Sequence, residues 1–454
     1  MSKRIGLSLV LLATIAAPAV AGVPRLRKMV VVGDSLLAGF GSGGLVATGR
    51  TGQLDSAPAV IARRAHVGLP LPLMSGPGVP APYVIVDANR NGQLDPGDVV
   101  RPNGLGFRDN DGTRARNLAV PGETIDSVFE EISPRDIAAD LVRGRGVDGQ
   151  QALKFLILGL PLRGGGVSQV TRAQEFNPSF ILVWIGNNDV LGMATRTNPD
   201  ATTLGAPAFG DRFRRLLNAL ADTNAGMAVA NLPDPTRIAT LRRAAGEVTF
   251  CNTADGAVQP VAADDLLPIS IDPSALPIPS CGKVLSVAEQ AQVRAKVVAF
   301  NAEIAAAIAA VSAARAVQIA PVDMFALFDQ VADAGVDIDG NGTPDLTRGY
   351  LGGLFSLDGV HPTRTGQALI ANVFIDAING QFGESIQRAN VARIATTDRL
   401  VNNRFRPAGE VPFGVITDDG VDVFDAATTR IGRGADHLGN SLRDNLGNLV
   451  DHLF

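Results

Sequence analysis

The sequence predicts one α/β domain built on a parallel five-stranded sheet with helices on both faces. The first observation is a set of five short segments that are wholly or mostly apolar, namely Met29–Val32, Ala115–Val120, Phe180–Ile185, Gly226–Ala230 and Val317–Val322. Continuous apolar runs are typical of strands that are buried on both faces. The second observation is that helical patterns lie between these runs, which favours parallel pairing through crossover helices. We expect the domain to span residues 22–384.

The first apolar run leads into the most informative stretch of the chain. Met29–Val32 is followed at once by Gly33, Asp34 and Ser35. Open α/β sheets bind their ligands beyond the carboxyl ends of the strands. Ser35 is therefore expected where a substrate would lie, and it is a candidate nucleophile if the fold brings a base to it.

The next two strands end in turns that carry polar or glycine residues. The second strand ends at Pro121 and Gly122, and Thr124 is expected to cap a helix over residues 125–129. A glycine at a strand-to-helix turn exposes its backbone N–H to the sheet edge. The third strand, which is the strongest of the five, ends in Gly186–Asp189.

Later segments continue the alternation of strands and helices. Ser286 and Glu289 form a capping box that opens an Ala-rich helix, and we expect this helix to end near Arg315. Apolar periodicity predicts three further helices. These are Ala57–Val67, Asp211–Leu220 and Thr365–Ile378.

Three regions fall outside this regular pattern. Residues 38–113 are rich in Gly and Pro and indicate an insertion folded over the carboxyl edge of the sheet. Residues 240–285 indicate a Pro-rich lobe, and residues 385–454 a C-terminal extension. Leucines at helical spacing in the extension predict a helix that packs back on the domain or frays; the alternatives are a helix that contacts a lipid surface transiently or one that binds a partner helix. They are Leu442, Leu446, Leu449 and Leu453.

The first 21 residues have the pattern of a signal peptide. Lys3 and Arg4 precede an apolar stretch, Ile5–Ala17, and an Ala-Val-Ala sequence stands just before Gly22. The apolar stretch is too short to span a bilayer, although an uncleaved anchor is the alternative. We expect no later segment to span a membrane. The protein is therefore expected to be exported, to the periplasm or the medium.

Composition and cysteine content agree with an exported globular protein. The chain has 454 residues, of which 46% are hydrophobic, so a large core can form. A net charge of −5 argues against nucleic acid as the main partner. The only two cysteines, Cys251 and Cys281, are expected to form a disulfide in an oxidising compartment, with two buried thiols as the alternative.

Two loops have the ligand spacing of calcium sites, which we expect to be structural rather than catalytic. In the first loop, oxygen-bearing side chains occupy positions 1, 3, 5, 9 and 12, with Gly at position 6. Its candidate ligands are Asp87, Asn89, Asn91, Gln93, Asp95 and Asp98. The second loop has Arg348 at position 12, and its candidate ligands are Asp337, Asp339, Asn341 and Asp345. The alternative is a cluster of turns whose side chains bond to their own backbone.

Among the four histidines, His361 has the best context for a general base. Asp358 lies three residues earlier in a glycine turn, from which its carboxylate can reach Nδ1 and select the tautomer. His66 lies on a predicted helix face, and His437 and His452 lie in the extension.

Four blocks together resemble the GDSL lipase/esterase family, also called SGNH hydrolases. The blocks are Gly33–Leu36, Asn117–Gly122, Gly186–Asp189 and Asp358–His361, in that order. The resemblance implies a flavodoxin-like three-layer α/β/α fold in which the four blocks meet at the carboxyl edge of the sheet. The long insertion, the Pro-rich lobe and the extension depart from smaller relatives, so the resemblance does not carry the substrate over.

The resemblance also implies a role for each site residue. Ser35 is the implied nucleophile, His361 the base, and Asp358 the residue that orients the base. The implied oxyanion hole consists of the Ser35 and Gly122 backbone N–H groups and the Asn188 side-chain amide.

Several other polar or glycine-rich stretches are not expected to carry chemistry. Asp34 and Asp189 are interpreted as local hydrogen-bond anchors. Gly39–Gly44 fits a G-x-G-x-x-G pattern, but it begins too far beyond the strand for a dinucleotide turn.

These observations predict an exported serine ester hydrolase that needs no cofactor for catalysis. Its substrate is expected to be a lipid-like or short acyl carboxylic ester, phospholipids included, cleaved through an acyl-enzyme on Ser35. A carbohydrate O-deacetylase that uses the same residues is the alternative. A non-catalytic, calcium-stabilised binding protein on the same fold is a more remote one. Acyl length, alcohol or headgroup, and oligomeric state are left open.

Overall fold

The computed structural model describes residues 23–47, 52–91, 94, 97–110, 112–143, 147–159, 165–269 and 279–401. The predicted signal peptide, the leucine-rich helix of the extension, and His437 and His452 lie outside these residues. The helices are α1 (Ser35–Ala38), α2 (Ala57–Arg64), α3 (Pro134–Val142), α4 (Gly149–Leu158), α5 (Gln169–Glu175), α6 (Asn187–Thr195), α7 (Ala206–Ala221), α8 (Val287–Arg315), α9 (Met324–Asp333), α10 (Arg364–Phe382) and α11 (Val391–Ala395).

The strands fall into one central sheet and three small ones. They are β1 (Met29–Gly33), β2 (Val84–Ile85), β3 (Val99–Val100), β4 (Phe180–Trp184), β5 (Gly226–Ala230), β6 (Leu241–Arg243), β7 (Phe250–Asn252), β8 (Val258–Pro260), β9 (Leu266–Pro268) and β10 (Ile319–Val322). The central sheet has the order β1–β4–β5–β10, and all of its pairs are parallel. Every residue of β1, β4 and β5 is buried, as their unbroken apolar sequences predict.

The fifth predicted strand, residues 115–120, is only partly formed. It joins the free side of β1 through one parallel bridge between Val31 and Asn117, with the Val31 N–H donating to Arg116 O at 2.9 Å. Regular pairing is interrupted at Gly33, because its N–H donates to the Gln169 side-chain oxygen at 2.9 Å, although the Val120 N–H still donates to Gly33 O at 3.1 Å. The central sheet therefore has four regular strands and a bridged fifth segment.

The strand order places a ligand crevice beside β1. From β1 the chain passes to residues 115–120 on one side and then to β4 on the other. Such a reversal of direction opens a crevice at the carboxyl ends of the two flanking strands. The crevice therefore lies where β1 leads into Ser35 and β4 leads into α6.

Helices cover the sheet in two groups, which confirms the predicted three-layer arrangement. Helix α10 packs against β5, β10 and α2, while α7 packs against both α5 and α8, and α5 contacts β1. The capping box is also confirmed, since the Ser286 hydroxyl accepts from the Glu289 N–H, and the Glu289 carboxylate accepts from the Ser286 N–H at 2.8 Å.

The expectation that no later segment could span a membrane is wrong on length and composition for α8. Its most apolar 18-residue window has a mean hydropathy of 1.8, because the helix is rich in alanine. One stripe of the helix is buried, however, as in an amphipathic helix that packs on a domain. The stripe consists of Val293, Val297, Phe300, Ile304, Ala307 and Val311.

The regions outside the regular pattern form small structures of their own. In the insertion, β2 and β3 pair antiparallel, and in the lobe β6 pairs with β9 and β7 with β8. The lobe has a separate small core that includes Cys251 and Leu267, and the predicted Cys251–Cys281 disulfide is present. The start of the extension packs back on the domain, since Asp398 accepts from the Thr365 N–H at 2.9 Å.

The helix predicted after Thr124 is not formed. A 3₁₀ turn at Ser127–Phe129 takes its place. The physical reason is that the Ser127 hydroxyl accepts from the Thr124 N–H at 2.8 Å and donates to the Glu123 carboxylate at 2.9 Å. Side-chain bonds of this kind compete with the backbone bonds of an α-helix.

Candidate active site

Ser35 begins a single helical turn at the carboxyl end of β1. Asp34 caps this turn by accepting from the Leu36 N–H at 3.1 Å, and Gly39 ends it in the left-handed conformation with φ of 81°. The turn holds the Ser35 side chain at the edge of the sheet, where only 4% of the residue is exposed. A buried hydroxyl needs a polar partner, and the fold supplies one.

That partner is His361, which lies 326 residues later in the chain. Its Nε2 lies 2.9 Å from the Ser35 Oγ, and its Nδ1 lies 2.9 Å from the Asp358 Oδ2. A carboxylate on Nδ1 leaves Nε2 as the acceptor of the hydroxyl proton. The structure therefore brings the predicted nucleophile, base and orienting carboxylate into one hydrogen-bonded chain.

The Asp358 carboxylate is held in its charged form by a glycine turn. Its Oδ1 accepts from the Val360 and His361 N–H groups at 2.9 and 2.8 Å, around Gly359 with φ of 69°. Burial alone would raise the pKa of this carboxyl, but the His361 imidazole and these N–H donors together lower it below its usual value. Asp358 is thus a negative partner that can stabilise a positive imidazolium.

The insertion also contributes directly to this group. The Gly43 N–H donates to the Asp358 Oδ2 at 2.5 Å, the same oxygen that faces His361. The Phe40 ring lies 4.8 Å from the imidazole ring, and the Ser42 N–H donates to the Ser356 hydroxyl at 2.7 Å. The glycine-rich stretch 39–44, which does not fit a dinucleotide turn, therefore supports the acid–base pair instead. Its repeated glycines are the only sequence signal for this role.

The other two predicted oxyanion residues, Gly122 and Asn188, lie on turns that contact each other. Gly122 has φ of 84°, which only glycine adopts readily. The Asn188 amide donates to Glu123 O at 2.8 Å, so the third block touches the turn that carries Gly122. An amide nitrogen has two hydrogens, and the second can serve another acceptor.

Asp34 and Asp189 both act as hydrogen-bond anchors, as predicted from the sequence, but they join remote segments and are not only local anchors. Asp34 Oδ2 accepts from the Asn187 amide at 2.8 Å, and Asp189 Oδ2 accepts from the Ile125 N–H at 2.9 Å. Burial raises the pKa of each carboxyl to about 6, with hydrogen bonds from Asn187 and Thr203, respectively, acting in the opposite direction. The charge of His361 also acts to lower the pKa of Asp34.

No sequence motif predicts the buried ion pair that lies next to Gly122 in the chain. Lys154 Nζ lies 3.1 Å from Glu123 Oε1, and these side chains are 2% and 0% exposed, respectively. Burial raises the pKa of the Glu123 carboxyl, and the charge of Lys154 opposes that rise. The one available signal was a lysine within the apolar sequence of α4.

The candidate calcium ligands are only partly brought together. In the first loop the Asn91 N–H donates to the side chains of Asp87 and Asn89, while Gln93 and Asp95 lie outside the described residues and Asp98 is buried. In the second loop one carboxylate oxygen from each of three exposed residues lies within 4.8 Å of the others. These residues are Asp337, Asp339 and Asp345. Such a group of oxygens could hold one hard cation.

Two other predicted features lie at the end of α2 and within the lobe. His66 follows the end of α2 in the left-handed conformation, with φ of 54°. The disulfide closes a separation of 30 residues within the lobe. The lobe still reaches the acid–base turn, since the Thr240 N–H donates to Gly359 O at 3.0 Å.

Comparison with known proteins places this geometry in a family. The family model for GDSL-like lipase/acylhydrolase matches residues 29–374. Among solved structures, LAE5, an alpha/beta hydrolase enzyme from the metagenome of Lake Arreo in Spain, is 14% identical, with a TM-score of 0.32. A candidate GDSL-like lipase from Parabacteroides merdae is 12% identical, with a TM-score of 0.30. Each comparison covers 77% of this chain and 94% of the other.

No curated protein matches the sequence significantly. The family model nevertheless spans all four sequence blocks, from β1 to the His361 turn and into α10. The chain belongs to the GDSL-like lipase/acylhydrolase family.

Proposed function

We propose that this protein is an exported serine hydrolase that cleaves lipid-like or short acyl carboxylic esters through an acyl-enzyme on Ser35. The observation that carries the proposal is the chain from the Ser35 Oγ to His361 Nε2 and from His361 Nδ1 to Asp358, with both distances 2.9 Å. A protein that only binds its ligand does not require a nucleophile and an oriented base in contact.

In the first half of the reaction, the Ser35 Oγ attacks the ester carbonyl carbon while His361 Nε2 takes the hydroxyl proton. The carbonyl oxygen becomes an oxyanion, and the Ser35 and Gly122 N–H groups and the Asn188 amide are the donors we assign to it. Each fixed donor of this kind contributes about 3–4 kcal/mol to stabilising the transition state. The intermediate then collapses, the alcohol leaves with the proton from His361, and the acyl group remains on Ser35.

In the second half, water takes the place of the alcohol. His361 accepts a proton from water as its oxygen attacks the acyl carbon, and the carboxylic acid leaves as the proton returns to Ser35. Asp358 remains ionised throughout and stabilises the imidazolium in both halves. No group outside this chain of residues is required for the proton transfers.

Export is supported by the sequence of residues 1–21 and by the disulfide. Disulfides persist in oxidising compartments and are rare elsewhere. The lipid-like or short acyl substrate is supported more weakly, by the apolar and Pro-rich segments around the candidate site. Phospholipids are one form of such a substrate.

The test of the mechanism is covalent labelling with a fluorophosphonate. We expect wild-type protein to be labelled at Ser35, and Ser35→Ala to lose labelling and on the order of 10⁶-fold in kcat. Ser312→Ala on α8, outside the candidate site, should label as wild type does. Retained ester hydrolysis in Ser35→Ala would show that the mechanism is wrong.

The test of the substrate compares p-nitrophenyl esters of increasing acyl length, a phospholipid and an acetylated polysaccharide. Hydrolysis of the aryl or phospholipid esters supports the proposal. Strong deacetylation of the polysaccharide without activity on longer acyl chains would instead establish a carbohydrate O-deacetylase that uses the same residues.

A further inference from the structure

The buried residues behind Gly122 form a connected network. Glu123 Oε1 pairs with Lys154 Nζ and accepts from the Gln150 side-chain amide, each at 3.1 Å. Glu123 Oε2 accepts from the Ser127 hydroxyl at 2.9 Å. Gln150 and Lys154 are four residues apart on α4, so they lie on the same face of that helix. The two side chains therefore converge on one carboxylate.

Gln150 connects this carboxylate to the Pro121–Gly122 peptide bond, whose N–H is one of the assigned oxyanion donors. Its amide nitrogen also donates to Pro121 O at 2.9 Å. The Pro121 carbonyl and the Gly122 N–H belong to one planar peptide unit, in which the C=O and N–H bonds point in opposite directions. A donor that holds Pro121 O therefore also sets the direction of the Gly122 N–H.

The other end of the turn is held from the opposite side. Asn188 donates to Glu123 O at 2.8 Å, and Lys154 Nζ donates to Ser127 O at 2.7 Å. Gly122 has no side chain to restrict it, and its φ of 84° is one of several conformations open to glycine. Its orientation must therefore come from the residues on either side.

We propose that Gln150, Glu123 and Lys154 are positioning residues, which hold the Pro121–Gly122 peptide so that the Gly122 N–H faces the oxyanion. This inference rests on the proposed hydrolase function. In this arrangement Lys154 fixes the charge and position of the Glu123 carboxylate, the carboxylate orients the Gln150 amide, and Gln150 holds Pro121 O. None of the three side chains touches the substrate.

Gln150→Leu tests the proposal with little risk to folding. Gln150 is half-buried, and its loss leaves Glu123 with both Lys154 and Ser127 as partners. We expect kcat to fall about 10- to 100-fold, because a misdirected donor loses much of its effect on the transition state. KM for the same ester should change less than about twofold, since the oxyanion forms only in the transition state.

The matched control is Gln151→Leu, which alters the exposed neighbour of Gln150 on the same helical turn. It should keep wild-type kcat. The rate constant for fluorophosphonate labelling of Ser35 should fall in Gln150→Leu in parallel with kcat, because the phosphonyl oxygen uses the same donors. The melting temperature of Gln150→Leu should stay close to that of wild type.

A second variant addresses the buried charges. Glu123→Gln combined with Lys154→Met removes both charges together and avoids leaving one buried charge unpaired. We expect this double variant to fold and to lose kcat without a matching rise in KM.

The outcomes separate the inference from the proposed function. Wild-type kcat and labelling in Gln150→Leu would overturn the inference, as would a loss of kcat that comes with a lower melting temperature and a higher KM. Neither result would affect the proposed function, because wild-type protein would still hydrolyse esters. If wild type neither hydrolyses esters nor labels at Ser35, the proposed function itself fails.

Discussion

The turns that carry Gly122 and His361 are held in place by different physical means. On the Gly122 side, side chains hold the turn: Gln150 and Asn188 donate to Pro121 O and Glu123 O, and a buried ion pair, Glu123–Lys154, lies beside them. On the His361 side, backbone N–H groups of remote segments hold the turn. Gly43 from the insertion donates to Asp358, and Thr240 at the lobe donates to Gly359 O.

This contrast shows that segments outside the four blocks can support a site that the four blocks form. The Gly122 side depends on charges within residues 121–154, which all lie between two strand segments of the sheet. The His361 side depends on contacts with the insertion and the lobe. Changes in the insertion or the lobe should therefore affect the base more than the oxyanion donors.

The largest effect is expected from removing the disulfide of the lobe. Closing a loop of 30 residues stabilises a fold by about 3–4 kcal/mol in the chain-entropy model, so Cys251→Ser with Cys281→Ser should lower the free energy of unfolding by about that amount. Urea titration measures this change. Intact mass with and without reductant verifies the bridge in wild type.

The disulfide variant also tests the contrast between the two sides. Because the lobe contacts Gly359, we expect the pH–rate profile of the folded variant to change more than its rate of reaction with a neutral phosphonate. Unchanged stability would contradict the loop-closure account. An unchanged pH profile would show that the lobe does not support the acid–base turn.

A smaller effect is expected from Arg101→Met in the insertion. The guanidinium donates to Gly43 O at 2.8 Å and lies 4.1 Å above the Tyr83 ring, so it holds the turn whose Gly43 N–H reaches Asp358. Loosening that N–H would raise the pKa of Asp358 and strengthen its hold on the imidazolium proton. The acid limb of kcat/KM should then move to higher pH.

The control for Arg101→Met is Tyr83→Phe, which keeps the ring beneath the guanidinium. It should show the wild-type pH profile. A uniform fall in rate at every pH in Arg101→Met, with no movement of the acid limb, would mean that Arg101 supports only the fold of the insertion.

The smallest effect is expected from calcium at the loop formed by residues 337–348. This loop precedes Tyr350, whose hydroxyl donates to Leu357 O at 2.9 Å just before the acid–base turn. Calcium that binds only the folded state stabilises it by mass action, so millimolar calcium should raise the melting temperature by about 2 °C. Chelator should reverse the rise.

Asp337→Ala should abolish the response to calcium, whereas Asp255→Ala, which removes an exposed carboxylate on the lobe, should keep it. A melting temperature that is indifferent to both calcium and chelator, with no metal seen by native mass spectrometry, would show that the loop is a self-bonded turn cluster. In that case the first loop, residues 87–98, would become the remaining calcium candidate.

The sequence by itself predicted the four regular strands of the central sheet. It also selected Ser35, Asp358 and His361 as the candidate nucleophile, orienting carboxylate and base. Unbroken apolar runs have few ways to be buried other than as covered parallel strands, and the polar residues that follow such strands must gather at one edge. A glycine turn with Asp three residues before His likewise has a local geometry that a short stretch can specify.

Only the tertiary structure decided which remote groups hold those residues. In the sequence, Lys154 is an isolated charge in an apolar helix, and only the structure shows that it pairs with Glu123. Gly43 belongs to a glycine pattern that does not fit a nucleotide site, and only the structure shows that its N–H donates to Asp358. The partial fifth strand also depends on a side-chain contact, since the Gln169 side chain accepts from the Gly33 N–H in β1. Each case is a contact between two segments that share no periodicity. The sequence shows both residues, but only the folded structure shows that they are in contact.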